Sequence, residues 1–214
     1  MEKTLAYKPQ NAWEDADAKT RKEMEALAVR YMDFLSHCKT ERETVEHVRK
    51  RLAEHGYTED FNAERVMRPM RGKAIFAARR GTLPLEQGLA LIAAHTDTPR
   101  LDFKQRPLIE QPGVAQAKTH YYGGIRKYQW LARPLALHGV VVRGDGSVIE
   151  VTIGEKAGEP VFCIADLLPH LAQKQAAQTV SDAFEAEKLN IILGHSPKAA
   201  GKGKKTAVCP VRSA

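Results

Sequence analysis

Gly88-Leu89-Ala90-Leu91-Ile92-Ala93-Ala94-His95-Thr96-Asp97-Thr98-Pro99 is the stretch on which the fold turns. Its first seven residues carry no charge and no polar alternation, the pattern of a β-strand covered on both faces. A strand of that kind belongs in a layered α/β domain. The apolar run delivers His95 and Asp97 at its carboxyl end, and Thr98-Pro99 closes it. Open α/β sheets place their ligand sites at such ends. An imidazole there binds a divalent metal through one nitrogen when a carboxylate or carbonyl holds the other. Asp97, two residues further along an extended chain, points to the same side and supplies such a carboxylate. Spacing leaves two readings open: a metal ligand with its orienting acid, or a hydrogen-bonded histidine at a strand end. Three or more protein ligands must converge before a metal site exists.

Upstream, residues 14–36 are predicted helical, because Met24, Leu27, Ala28, Tyr31, Phe34 and Leu35 recur at three-and-four spacing. A second helix is expected from Thr40-Glu41-Arg42-Glu43, a capping box, with Val45, Val48 and Leu52 as its stripe and Gly56 as its left-handed stop. A strand is expected at Lys73–Arg79. Downstream of about residue 105 the texture becomes β-rich and punctuated by Pro107, Pro112, Gly113, Gly123, Gly124, Pro134 and Gly139. Residues 135–142 and 148–153 flank Arg143-Gly144-Asp145-Gly146-Ser147, whose Asp-Gly signals a hairpin. A short helix is expected over 164–178, against which Pro169 weighs, and one more strand near 189–194. The domain reading is therefore 1–104, the first part of an α/β domain; 105–195, a smaller β-rich domain; and 196–214, a basic, disordered tail.

Composition narrows the partners. The chain has 214 residues, 43% hydrophobic and 28% charged, which excludes wholesale disorder. Its net charge of +7 is concentrated: Lys198, Lys202, Lys204, Lys205 and Arg212 supply five of the seven without an acid among them. That tail alone supports a nucleic-acid reading, and no zinc-finger spacing or aromatic-basic signature joins it. No run approaches the roughly 18–20 apolar residues of a membrane span, and the first residues lack a secretory pattern. Cys38, Cys163 and Cys209 are scattered, with no pairing framework. A cytoplasmic protein is expected.

Other histidines are weaker candidates by residue type alone. Thr119-His120-Tyr121-Tyr122-Gly123-Gly124-Ile125 places His120 and Tyr122 beside paired glycines, either lining a site or packing at a turn or subunit contact. His170 follows Leu168-Pro169 in the expected short helix. His37, His47 and His55 sit on expected helices without paired ligands.

Taken in order, Ala94-His95-Thr96-Asp97-Thr98-Pro99, Tyr122-Gly123-Gly124, Leu135-Ala136-Leu137-His138-Gly139-Val140-Val141, Ile164–Ala172 and Glu187–Gly194 resemble the M18 family of metalloaminopeptidases, the aspartyl aminopeptidase and aminopeptidase I group. The resemblance implies an α/β catalytic domain interrupted by a smaller β-rich domain used in dimerisation, and further assembly, commonly into tetrahedral dodecamers. It implies two divalent metals, usually zinc, and removal of N-terminal residues from peptide substrates, acidic ones in the aspartyl branch. On its motif His95 is a metal ligand and Asp97 its orienting acid. His170 matches a histidine offered to a neighbouring subunit's active site, where it binds substrate or the developing oxyanion.

The same resemblance defines a departure. The family's bridging aspartate, its Glu-Glu pair and its later Asp and His ligands come from the second half of a chain about twice this long. From Lys198 onward the text is expected to leave the family pattern. A truncated aminopeptidase, inactive in isolation, is the expectation. The competing reading is a non-catalytic assembly or regulatory module in which residues 105–195 still mediate subunit contact.

Overall fold

The computed structural model describes Tyr7 and residues 9–111, 114–195, 197–198 and 207–208. The chain divides into two compact units, Met1–Thr96 and Asp97–Ala214.

The first unit is helical and then β. The long helix expected over 14–36 forms as α1 (Ala12–Asp15) and α2 (Ala18–His37). The break falls where Asp17 takes the N-cap role, accepting from the Thr20 amide at 2.7 Å. In α3 (Glu41–Glu54) the capping box is complete: Thr40 Oγ1 accepts from the Glu43 amide at 3.3 Å, and Glu43 Oε2 accepts from the Thr40 amide at 2.9 Å. Gly56 ends α3 with φ +79°, a conformation that costs glycine nothing sterically. Leu27, Tyr31 and Phe34 of α2 and Val48 and Leu52 of α3 line a groove of about 500 Å³. Phe34 meets the His47 ring edge-on at 5.3 Å.

Strands β1 (Arg65–Met70) and β2 (Ala74–Arg79) form an antiparallel pair, with Arg65 opposite Arg79 and Met70 opposite Ala74. β1 was not legible in the sequence, where Arg68 and Pro69 interrupt the apolar pattern; Val66 and Met67 are its buried residues. The strand expected over 88–94 is not formed. That segment joins no sheet among the described residues and stands in solvent, Leu89 at 72%, Leu91 at 80% and Ile92 at 95% exposure. The apolar run reports the cover it requires, and no described strand supplies that cover.

The second unit is built on the sheet β3-β4-β7, all antiparallel: β3 (Arg100–Gln111), β4 (Val114–Tyr122) and β7 (Ile191–Gly194). A register shift between Phe103 and Leu108 marks a bulge in β3, next to Pro107. On β4, Ala115, Ala117 and Thr119 alternate inward, and Thr119, 2% exposed, donates its hydroxyl to the Leu189 carbonyl. β5 (Leu137–Val142) and β6 (Val148–Ile153) form the expected hairpin, with Ser147 N–H donating to Asp145 Oδ1 at 2.9 Å in the turn. Phe162, Ile164, Leu189 and Ile191 are the core, packed by Leu101, Trp130, Leu135, Leu137 and Ile153. The helix expected over 164–178 is reduced to a 3-10 turn at Pro169–Leu171 and the single turn α4 (Gln173–Ala176). Leu168, preceding proline, stays extended and forbids an earlier start. A second single turn, α5 (Val180–Ala183), follows. The basic tail lies almost wholly outside the described residues, which include only the backbone pair β8 (Pro197–Lys198) and β9 (Ala207–Val208).

Candidate functional site

His95 lies one residue before the end of the first unit, outside helix and strand, and is exposed. Its neighbour Thr96 fixes that end of the segment, donating Oγ1 to the Lys73 carbonyl at 3.0 Å, just before β2. Lys73 is itself held, its Nζ lying 3.4 Å from Glu41 Oε1 at the start of α3. The backbone that carries His95 is thus tied to the β1–β2 turn and to the helix behind it.

Asp97 opens the second unit, and there the hairpin β3–β4 builds a polar cluster around it. Tyr122 donates its phenol hydroxyl to Asp97 Oδ2 at 2.7 Å. Arg100 is opposite Tyr122 in the register and lays its guanidinium over that ring, 4.6 Å from the centroid. The same guanidinium donates from Nε to Asp102 Oδ1 at 2.7 Å and from Nη1 to the Thr98 carbonyl at 3.3 Å. One arginine therefore orders the backbone at Thr98, the ring that grips Asp97 and the next carboxylate along. Gly123 completes the corner: with φ +72°, a Cβ there would lie 3.3 Å from Pro99 Cγ.

The period of two that aligns Arg100 with Asp102 and His120 with Tyr122 places these four on one face of the hairpin. Lys104 continues the row and pairs with Glu187, whose carboxyl its ammonium holds below the usual glutamate range, Lys118 and His120 contributing less. On the opposite face Leu101 packs against the core. Sequence reasoning had Asp97 and Tyr122 as separate candidates and missed Arg100 and Asp102. The Arg-x-Asp and His-x-Tyr alternation was the available signal, but it acquires meaning only once the register is known.

His170 lies exposed in the 3-10 turn Pro169–Leu171. Its neighbours Leu167 and Leu171 line a cavity of about 440 Å³, floored by the buried Ile164 and Leu189 and rimmed by Asp166, Lys174, Glu185 and Lys188. Among the described residues no three His, Cys, Asp or Glu side chains gather closely enough to hold a metal ion. The donors present do not by themselves fit a zinc centre; His95 brings one imidazole. No described helix is long and apolar enough to cross a membrane.

Comparison with known proteins shows the family. A family model described as aminopeptidase I zinc metalloprotease (M18) matches residues 34–211. The match runs past Lys198, where the sequence reading ended the resemblance. A probable M18 family aminopeptidase 1 of Clostridium acetobutylicum is 42% identical over 214 residues, covering 95% of this chain and 46% of that protein. Its counterpart in Thermotoga maritima is 47% identical over 193 residues, 87% of this chain and 42% of that protein. The crystal structure of the Thermotoga maritima M18 aminopeptidase superposes with a TM-score of 0.84 at 42% identity, over 94% of this chain and 45% of that one. Aminopeptidase I from Borrelia burgdorferi B31 gives 0.78 at 31% identity, over 93% and 46%. The chain spans about half the length of the curated relatives it matches.

Proposed function

The chain belongs to the M18 family of aminopeptidases, and from that premise we propose that it serves zinc-dependent removal of N-terminal residues from peptides. The observation that carries this reading is the family match over residues 34–211, a span within which His95, Asp97 and His170 lie. His95 would bring one imidazole toward a zinc site, and zinc held there would supply Lewis-acid chemistry for peptide hydrolysis. Asp97 keeps its carboxylate oriented through the Tyr122 hydroxyl, and Arg100 fixes Tyr122 in turn. Such supporting partners set the position and basicity of the groups that act. His170, exposed on its short turn, is offered to the active site of a neighbouring subunit, where it meets substrate or the developing oxyanion. In this reading residues 1–104 belong to the α/β catalytic domain, and 105–195 form the dimerisation domain of a homo-oligomer, a dimer or a dodecamer built from dimers. The enzyme holds two zinc ions and works in the cytoplasm.

The test is a chimera in which residues 34–195 replace the matching part of the Thermotoga maritima relative. The expected result is zinc-dependent release of N-terminal residues from aminoacyl-p-nitroanilides, lost on chelation and restored by zinc. A folded, zinc-replete chimera that hydrolyses none of these substrates overturns the proposal. The isolated 214-residue chain is expected to show negligible turnover.

A further inference from the structure

The cavity of about 440 Å³ in the second unit has no part in the chemistry proposed above. Separate stretches of chain contribute to its wall: Leu131, then residues within 164–167, 171–178 and 183–189. Its floor is Ile164 and Leu189, 2% and 3% exposed. Phe184 lies at one side, its ring tilted against Tyr128 with centroids 6.3 Å apart. Leu167 and Leu171 also line it, each with more than half its surface in solvent. His170 falls between these two leucines in sequence but is not part of the wall. Sites for small molecules have this size and this make-up, a mainly apolar lining with a few polar groups that fix orientation.

The polar groups at the rim divide into satisfied and open ones. Lys188 and Glu185 answer each other, Nζ to Oε1 at 2.6 Å. Lys174 makes no hydrogen bond or ion pair among the described residues. Asp166 commits only Oδ1, which accepts from the Leu167 amide at 2.8 Å. Gln175 donates Nε2 to the Ala183 carbonyl at 3.3 Å, so its amide oxygen is still an acceptor. One open cation, one open carboxylate and one neutral acceptor thus border an apolar floor. We propose that this cavity binds a free apolar α-amino acid. The ligand's side chain displaces water from Ile164, Leu189 and Phe184. Its carboxylate meets Lys174, and its ammonium meets Asp166 and the Gln175 oxygen, as charge-assisted hydrogen bonds. A fatty acid or a simple amine would use only one of the two open charges. Free amino acids are also what the proposed reaction releases, which makes the occupant a product. That link rests on the proposed activity; the binding rests on the cavity alone.

The experiment titrates L-leucine into the isotope-labelled full 214-residue chain and follows backbone amides by nuclear magnetic resonance. The expected result is saturable shifts among residues 164–189, with a Kd on the order of 1 mM or tighter, while the amides of the β5–β6 hairpin do not move. Leucinamide, which lacks the carboxylate, and N-acetyl-leucine, which lacks the ammonium, should each bind at least about tenfold more weakly. Lys174→Gln and Asp166→Asn should each weaken L-leucine at least about tenfold. Both side chains are exposed, so unchanged resonances elsewhere show that the variants are folded. Glu150→Gln, on β6, should leave binding as it is. No saturable shift up to about 20 mM L-leucine overturns the proposal. Equal binding of leucinamide does so too, because it assigns the cavity to a peptide's amino terminus. Equal binding of N-acetyl-leucine assigns it to a carboxyl terminus and is equally contrary. Shifts of the same amides that grow with chain concentration in the absence of L-leucine assign it to a second copy and also overturn the proposal. The titration needs no turnover, so L-leucine bound with an inactive chimera would sink the proposed activity alone. An active chimera whose parent chain ignores L-leucine would sink only this inference.

Discussion

Replacing Tyr122 with phenylalanine removes a single oxygen from the cluster around Asp97. The ring remains, and with it the Arg100 stacking at 4.6 Å, so the change isolates the 2.7 Å hydrogen bond to Asp97 Oδ2. Hydrogen bonds to charged acceptors contribute about 1.5–3 kcal/mol when sheltered. Tyr122 is 41% exposed and water can replace much of what is lost, so the expected cost is about 1 kcal/mol. That is roughly a fivefold shift in the folding equilibrium. Urea unfolding followed by Trp130 fluorescence, in a Trp13→Phe background, reads the second unit, because Trp130 packs against its core. Asp97→Asn and the double variant complete a cycle, and the two single costs should overlap by most of that kilocalorie. Tyr121→Phe, on the opposite face, should cost less than about 0.5 kcal/mol. Full additivity of Tyr122→Phe and Asp97→Asn would refute the claim that the phenol positions the carboxylate.

Thr40→Ala should destabilise the first unit by about 1 kcal/mol, since it removes the N-terminal half of a complete capping box; thermal unfolding checks this. Gly123→Ala should cost about 1–2 kcal/mol in the second unit, combining a positive φ with a Cβ placed 3.3 Å from Pro99. Glu159 accepts from the amides of Gly154, Lys156 and Glu155, and these, Gly154 foremost, hold its carboxyl below the ordinary glutamate range. A pKa lowered on folding stabilises above its unfolded value, and that support fades as pH falls through the folded one. Exchange of the 154–156 amides, relative to intrinsic rates, should therefore quicken as pH falls below the ordinary glutamate range and lose that dependence in Glu159→Gln. His170→Ala should leave unfolding of the isolated chain unchanged, because the side chain is exposed, while lowering turnover in the active chimera.

What could be read from the sequence was local or strongly patterned. The Thr40–Glu43 capping box and the Asp145-Gly146 hairpin depend on neighbours within five residues, so the text alone specifies them. His95 and Asp97 were found because an apolar run ends on them. The β3–β4 hairpin was not found: β3 alternates Arg100, Asp102 and Lys104 with apolar residues and carries Pro107 and a bulge, so its period is blurred. The cluster of Asp97, Arg100, Asp102 and Tyr122 was hidden with it, because residues 25 positions apart meet only through that register. The 88–94 segment failed differently. Its pattern is that of a strand covered on both faces, but a strand is a relation between segments, and no described residues pair with this one.

The most direct measurement is the zinc content of the chimera with and without His95→Ala, by inductively coupled plasma mass spectrometry on protein shown to be folded. If His95 is a metal ligand, the substitution removes about one zinc per subunit and lowers turnover at least about 100-fold. Unchanged zinc and unchanged turnover would contradict the account at its root.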